Sequence, residues 1–166
     1  MSAPPGGERG CTRILFVCLG NICRSPLAEA LFLNLLERRG LRCGYMAASA
    51  GTGNWHVGDP ADSRMRATAR RHGLELRGRA QQVSPQDFDR FDLMLAMDRA
   101  NLSQLGRMAR DDSDRARIRL LREYDPKAGS EMDVPDPYFG GADGFERVYE
   151  MVARACEHLL RELEGE

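Results

Sequence analysis

Ile14-Leu15-Phe16-Val17-Cys18-Leu19-Gly20-Asn21-Ile22-Cys23-Arg24-Ser25-Pro26 is the stretch from which the rest of the fold follows. Its four leading apolar residues, 14–17, predict a strand that is buried on both faces. A short loop follows, and it contains Gly20 and Asn21, two residue types that tolerate unusual backbone angles. Ser25 and Pro26 then predict the start of a helix, because Ser is a favoured N-cap and Pro fits the first helical turn. The stretch therefore indicates a strand, a tight loop and a helix in direct succession.

The loop of this stretch, residues 18–24, is predicted to bind an anion, and we call it the anion-binding loop. A loop that closes onto a helix N-terminus presents free N–H groups and the positive end of the helix dipole. Arg24 adds a planar guanidinium that can hold two oxygens of a phosphate. Five residues separate Arg24 from Cys18, and these surroundings favour the thiolate form of Cys18. A thiolate beside a bound phosphate ester is a nucleophile directed at phosphorus.

The same stretch argues against two other kinds of site. No Gly-Lys-Ser/Thr follows the loop, so a Walker A nucleotide site is not indicated. Cys18 and Cys23 have no second Cys/His pair nearby at the spacing of metal ligands. We therefore expect neither a metal nor a cofactor.

Composition limits the other functions that the chain can have. The chain has 166 residues, a net charge of -1 and 42% hydrophobic residues, which fits one ordinary domain and gives no sign of nucleic-acid or membrane binding. No apolar run approaches the roughly 20 residues that a membrane helix needs. Five cysteines without the spacing of a disulfide scaffold favour a reducing, cytoplasmic setting. Residues 1–11 are polar and rich in Pro and Gly, so we expect a disordered tail before a domain over residues 12–166.

The rest of the chain alternates between strand and helix patterns. Further strands are predicted over 45–50, 92–97 and 118–121. Helices are predicted over 26–39 and 98–110, and a third runs from Asp62 or Ser63 to before Gly73. A short helix is predicted to begin at Ser84, and the last helix begins at a capping box formed by Asp143 and Glu146. Such alternation indicates a parallel sheet with helices on both faces, in which ligands bind at the carboxyl ends of the strands. The long segment 122–144 has no regular pattern, and loops of that length are usually functional.

Residues 17–26 resemble the active-site loop of the low-molecular-weight protein tyrosine phosphatases, and the resemblance extends over nearly the whole chain after the first dozen residues. It implies an α/β fold: a single three-layer domain with a four-stranded, flavodoxin-like parallel sheet. It also implies hydrolysis of phosphotyrosine and aryl phosphates through a phosphocysteine intermediate. Cys18 would be the nucleophile, and Arg24 would stabilise the phosphoryl oxygens.

The general acid of this reaction is predicted in the long loop. Asp136 lies between two prolines, and Asp136-Pro137-Tyr138 matches the Asp-Pro-Tyr acid motif of the family. By this resemblance Asp136 protonates the leaving oxygen and then activates the water that cleaves the phosphocysteine. Asp133 is the nearby competitor and fits the motif less well.

Further residues acquire roles only through the resemblance. Asn21, Ser25 and Ser49 would hold the loop and stabilise the thiolate, while Cys23 would be a redox partner of Cys18. The substrate would contact Leu19, Gly20, Asn21, Ile22, Cys23, Ser25, Trp55 and Tyr138. Two positions depart from the family pattern: Gly78 aligns with a His that braces the loop in many members, and Phe139 replaces a second Tyr.

Three alternatives share this sequence pattern. Protein arginine phosphatases resemble the loop but carry Thr where this chain has Ile22, and thioredoxin-linked arsenate reductases need two further Cys around residues 80–95, where this chain has none. A non-catalytic anion-binding domain is the third. The expected partners are a tyrosine-phosphorylated protein, with a tyrosine autokinase as one candidate, and inorganic phosphate, sulfate or vanadate in the loop.

Overall fold

A computed structural model describes residues 10–139 and 141–166, so residues 1–9 of the expected tail lie outside the described part. Four parallel strands form the sheet, in the order β2-β1-β3-β4. Their bounds are β1 Thr12–Cys18, β2 Tyr45–Gly51, β3 Leu93–Ala96 and β4 Ile118–Leu120. The predicted four-stranded, flavodoxin-like parallel sheet is confirmed.

Six α-helices cover the sheet among the described residues. They are α1 Arg24–Arg38, α2 Ser63–Arg71, α3 Asp87–Arg90, α4 Arg99–Met108, α5 Asp112–Ala116 and α6 Ala142–Leu163. Short 3-10 helices occupy Arg42–Gly44, Leu121–Tyr124 and Pro137–Phe139. None of these helices combines the length and the apolar character that crossing a bilayer requires.

The core forms two layers because side chains alternate along each strand. On β1, Ile14 and Phe16 face a cluster that includes the apolar faces of α1 and α6. Leu15 and Val17 face the opposite cluster, which contains Leu105 of α4. All four β1 side chains are at most 1% exposed, as the unbroken apolar run predicts. This packing fixes both ends of the anion-binding loop on buried elements.

Three helix starts differ from the sequence prediction. Helix α1 begins at Arg24, and its N-cap is Cys23, so Ser25 lies inside the first turn and is not the cap. Helix α3 begins at Asp87 rather than at Ser84. The predicted capping box of α6 is wrong, because Gly141 is the N-cap and no side chain caps it. Glu146 instead pairs with Arg71, the last residue of α2, and with His72, its C-cap, and the local pattern does not reveal this long-range contact.

Candidate active site

The anion-binding loop packs tightly against the end of the neighbouring strand. Asn21 has a φ of 57°, the left-handed conformation that Asn tolerates. Backbone N–H groups of Thr52 and Gly53 donate to the carbonyls of Cys18 and Leu19, each at 2.9 Å. Gly51 makes this approach possible, because a Cβ at this position would lie 2.7 Å from the Leu19 carbonyl oxygen. The loop conformation therefore depends on β2 as well as on its own sequence.

The sulfur of Cys18 lies at the base of the loop and is surrounded by polar groups. Cys18 is 2% exposed, and its Sγ is 2.9 Å from Ser25 Oγ. The Asn21 backbone N–H donates to the same sulfur at 3.3 Å. The Asn21 side-chain amide donates to Ser25 Oγ at 2.8 Å, and the single Ser25 hydroxyl proton has two acceptors within reach, the sulfur and the Ala50 carbonyl at 3.4 Å. Hydrogen bonds that point at sulfur favour a thiolate.

Arg24 is buried and held by groups from two distant segments. Its Nη1 donates to Asp98 Oδ2 at 2.6 Å and to the Val134 carbonyl at 2.9 Å. Burial opposes the charge of Arg24, but the negative charge of Cys18 and the bond to Asp98 outweigh it and raise the pKa of Arg24 above its ordinary value. The guanidinium therefore stays positively charged beside the sulfur.

Sequence reasoning missed Asp98 as part of this site. Asp98 is the N-cap of α4, and its Oδ1 accepts from the Asn101 backbone N–H at 2.8 Å. Its other carboxylate oxygen binds Arg24. The available signal was its position directly after a buried strand, where parallel sheets bind ligands.

Asp136 reaches the cavity from the long loop. Its Oδ2 lies 3.6 Å from Arg24 Nη2, and its Oδ1 accepts from the Tyr138 backbone N–H at 3.0 Å. The side chain is 33% exposed, so it is accessible to both substrate and water. The loop is attached to the sheet by Val134, which is fully buried and donates to the Met97 carbonyl at 2.7 Å.

The competing carboxylate, Asp133, has a different position. Its Oδ1 accepts the backbone N–H of Arg99 at 2.9 Å, so it is bonded to the first turn of α4. It does not line the cavity beside Cys18, whereas Asp136 does. The structure thus separates two carboxylates that are three residues apart in the chain.

The loop is braced by Gln81, which sequence reasoning missed. The Gln81 backbone N–H donates to Asn21 Oδ1 at 2.9 Å, and the Gln81 carbonyl accepts from Gly51 N–H at 2.8 Å. Gly78, at the position where many family members have a bracing His, would bring a Cβ only to within 3.9 Å of Glu29 Oε2. The Asn21 side chain is therefore held by a backbone N–H group. Because a backbone donor is present at almost every residue, the sequence pattern could not indicate this contact.

Ser49 lies deeper in the sheet than the sulfur. Its partner on β1 is Phe16, whereas the partner of Cys18 is Gly51. The Ser49 carbonyl accepts from Gln81 Nε2 at 2.9 Å. Burial raises the pKa of the nearby Glu29, and the polar groups of Ser49 oppose that shift. Ser49 thus supports the bracing segment, and its contribution to the thiolate stays a prediction.

A cavity of about 130 Å³ opens above Cys18, between aromatic side chains. Trp55 is 71% exposed and Tyr138 is 38% exposed, and both line its mouth. His56, a further lining residue that sequence reasoning missed, lies 6.3 Å from the Tyr138 ring, centroid to centroid. The Arg64 guanidinium lies 5.2 Å from the centre of the Tyr138 ring. The cavity has a charged base and an aromatic rim.

Cys23 lines the same cavity and is 4% exposed. Burial and the negative charge of Asp62 raise the pKa of Cys23 well above its ordinary value, so it remains a neutral thiol. Both Cys18 and Cys23 are free thiols. Within residues 10–139 and 141–166, no group of three or more His, Cys, Asp and Glu side chains is arranged to hold a metal ion.

Comparison with known proteins identifies the family. The family model described as low molecular weight phosphotyrosine protein phosphatase matches residues 13–166. A low molecular weight protein-tyrosine-phosphatase of Streptomyces coelicolor is 50% identical, with 89% of this chain and 91% of the relative covered. The human low molecular weight phosphotyrosine protein phosphatase is 38% identical, with 92% and 96% covered.

Solved structures agree with this result. A protein tyrosine phosphatase of Entamoeba histolytica with Hepes in its active site has a TM-score of 0.88 at 38% identity, covering 93% of this chain and 97% of that chain. The Drosophila arginine phosphatase has a TM-score of 0.84 at 36% identity, covering 90% and 96%. The matched residues 13–166 include the anion-binding loop, Asp98, Asp136 and all six described helices. The chain therefore belongs to the low molecular weight phosphotyrosine protein phosphatase family.

Proposed function

We propose that this protein is a tyrosine phosphatase that hydrolyses phosphotyrosine in proteins through a phosphocysteine intermediate. One observation carries the proposal. Cys18 and Arg24, at the two ends of the anion-binding loop, and Asp136, on the distant long loop, line a single cavity of about 130 Å³. A nucleophile, a cation and a carboxylate are the three groups that phosphoryl transfer to sulfur requires.

In the first step the Cys18 thiolate attacks phosphorus and an S–P bond forms as the P–O bond to tyrosine breaks. The negative charge on the equatorial oxygens is stabilised by the Arg24 guanidinium and by backbone N–H groups of the anion-binding loop. Asp136, protonated at this stage, gives its proton to the leaving phenolate oxygen. Tyrosine leaves, and Asp136 becomes a carboxylate.

In the second step a water molecule attacks the phosphocysteine. Asp136 accepts one proton from this water, an O–P bond forms and the S–P bond breaks. Inorganic phosphate leaves, and the Cys18 thiolate and protonated Asp136 are regenerated. Ser25 and the Asn21 N–H, which already contact the sulfur, stabilise the thiolate as a leaving group.

The aromatic rim favours phosphotyrosine over phosphoserine. Cys18 lies at the base of the cavity, and Trp55 and Tyr138 line the walls. A phenyl ring places the phosphate far enough from the peptide backbone to reach the sulfur, and it stacks between aromatic side chains. A phosphoserine side chain is shorter and offers no ring.

The same proposal predicts which anions and which protein substrate bind the site. Inorganic phosphate, sulfate and vanadate should bind the anion-binding loop as competitive inhibitors. We propose a tyrosine autokinase as a protein substrate, in line with the resemblance to bacterial phosphatases. We also propose a cytoplasmic location, because a catalytic thiolate must stay reduced.

The test compares the wild-type protein with Cys18→Ser and with Cys43→Ser, an exposed cysteine before the amino end of β2, whereas the anion-binding loop packs against its carboxyl end. The wild type and Cys43→Ser should hydrolyse p-nitrophenyl phosphate and a phosphotyrosine peptide, while Cys18→Ser should bind vanadate without turnover. Substantial turnover by Cys18→Ser would overturn the mechanism. Faster turnover of phosphoarginine than of phosphotyrosine would assign the protein instead to the activity of its Drosophila neighbour.

A further inference from the structure

A second cavity of about 310 Å³ lies beside the first, between residues 52–55 and helix α4. We call it the side groove. It shares two walls, Leu19 and Trp55, with the cavity above Cys18. Its far wall is formed by one face of α4, with Ser103, Gln104 and Arg107. Nothing in the proposed chemistry uses this groove.

The shared walls connect the two cavities as one surface. Leu19 is 43% exposed and Trp55 is 71% exposed, so two large apolar side chains stand in solvent between the cavities. Exposed apolar groups that rim a cavity are typical of binding surfaces. A polypeptide whose tyrosine enters the first cavity must cross this ridge or run along it.

The charge of the side groove is positive. Arg107 is exposed and forms no ion pair with any other residue in the described ranges. The other arginines of this region are engaged: Arg99 donates to the Ser130 carbonyl, and Arg110 pairs with Asp89 and Asp114. Among the residues that the structure describes, no Asp or Glu lines the groove. The unpaired Arg107 guanidinium is suited to bind a carboxylate or another acidic group.

Helix geometry gives the separation along α4 between Arg107 and Asp98, which contacts the phosphate-binding Arg24. Asp98, the N-cap of α4, is bonded to Arg24 at 2.6 Å. At a rise of about 1.5 Å per residue, Arg107 lies roughly 13 Å further along α4. An extended peptide advances about 3.3 Å per residue, so it covers this distance in about four residues.

We propose that the side groove binds the substrate segment next to the phosphotyrosine, and that Arg107 selects an acidic side chain about four residues away from it. This inference rests on the proposed phosphatase function and adds a determinant of substrate choice. Leu19 and Trp55 contact the intervening residues, and Ser103 and Gln104 offer hydrogen bonds to the peptide backbone. Arg107 acts on substrate binding and not on the chemical steps.

The experiment uses phosphotyrosine peptides that differ only in carrying Glu or Gln three, four or five residues before or after the phosphotyrosine. Each kcat/KM is divided by the rate of the same variant on p-nitrophenyl phosphate, which needs only the first cavity. The wild type should prefer one of the Glu peptides about two- to fivefold, the size expected for an exposed ion pair. Arg107→Glu should remove or invert the preference, and Arg107→Lys should retain it.

The control is Arg42→Glu, which makes the same charge change in the exposed 3-10 helix before the amino end of β2, whereas the side groove adjoins the carboxyl end of that strand. It should keep the wild-type preference. Equal turnover of all Glu and Gln peptides by the wild type, or a preference that survives Arg107→Glu, would overturn the proposal for the side groove. Failure of the wild type to hydrolyse p-nitrophenyl phosphate would overturn the phosphatase function itself, so the two failures are distinguishable.

Discussion

Gly51→Ala should distort the anion-binding loop from a neighbouring strand. A Cβ at Gly51 would lie 2.7 Å from the Leu19 carbonyl oxygen and 3.1 Å from the Asn21 nitrogen. The first distance is about 0.7 Å short of the 3.4 Å at which ordinary contact begins. Both atoms are backbone, so the loop itself must move, and no side-chain rotation relieves the overlap.

The size of the effect follows from that displacement. Overpacking of this kind costs about 1–3 kcal/mol of stability, or a fall in Tm of about 2–12 °C for a chain of this length. A displacement approaching 1 Å in a catalytic loop lowers the rate on the order of 10- to 100-fold. We therefore expect kcat/KM on p-nitrophenyl phosphate to fall by that factor, with the protein still folded.

The assay is steady-state hydrolysis with thermal unfolding measured in parallel. The control is Gly44→Ala, just before the opposite end of β2, where a Cβ would contact no described residue within 4 Å apart from its chain neighbours. It should leave both rate and Tm close to those of the wild type. Gly51→Ala with a rate within twofold of the wild type would refute the reasoning, because the loop would then not depend on its contact with β2.

Two further substitutions test Asp136 as the general acid and Asp125 as a buried residue that stabilises the long loop. Asp136→Asn should slow esters with poor leaving groups much more than p-nitrophenyl phosphate, and equal slowing would contradict its role as an acid. Asp125 has a fully buried side chain bonded to Arg154 at 2.7 and 3.0 Å, so Asp125→Asn should cost about 3 kcal/mol of unfolding free energy in urea. Burial opposes this carboxylate, but the bonds from Arg154 and from the Lys127 N–H hold the pKa of Asp125 below its ordinary value.

The sign of the pH effect follows from that pKa. A depressed pKa means that the fold favours the carboxylate, so its contribution is complete above the ordinary Asp pKa of about 4 and is lost as pH falls through the folded value. The wild type should therefore lose more stability than Asp125→Asn between pH 7 and pH 3. An equal loss in both proteins would contradict the assignment. Arg161→Gln, which removes an exposed pair with Glu157, is the control and should behave as the wild type.

The elements that were predicted correctly are those whose signals lie close together in the chain. The strand, the loop and α1 were predicted because their signals are contiguous: a buried apolar run, flexible loop residues and a helical stripe. The boundary errors at Ser25 and Asp143 arose because side chains suited to capping are used elsewhere or not at all. The Ser25 hydroxyl contacts the Cys18 sulfur instead of capping α1. The N-cap of α6 is Gly141, which has no side chain to form a cap.

The sequence by itself determined the parallel sheet and placed Cys18 and Arg24 on one short loop, since five intervening residues leave the chain little freedom. Only the tertiary structure decided which distant groups complete the site. Asp98 lies 74 residues from Arg24, and the brace on Asn21 is a backbone N–H 60 residues away. Contacts of this kind depend on how the sheet aligns the ends of its strands, and a backbone donor has no residue type by which a sequence can reveal it.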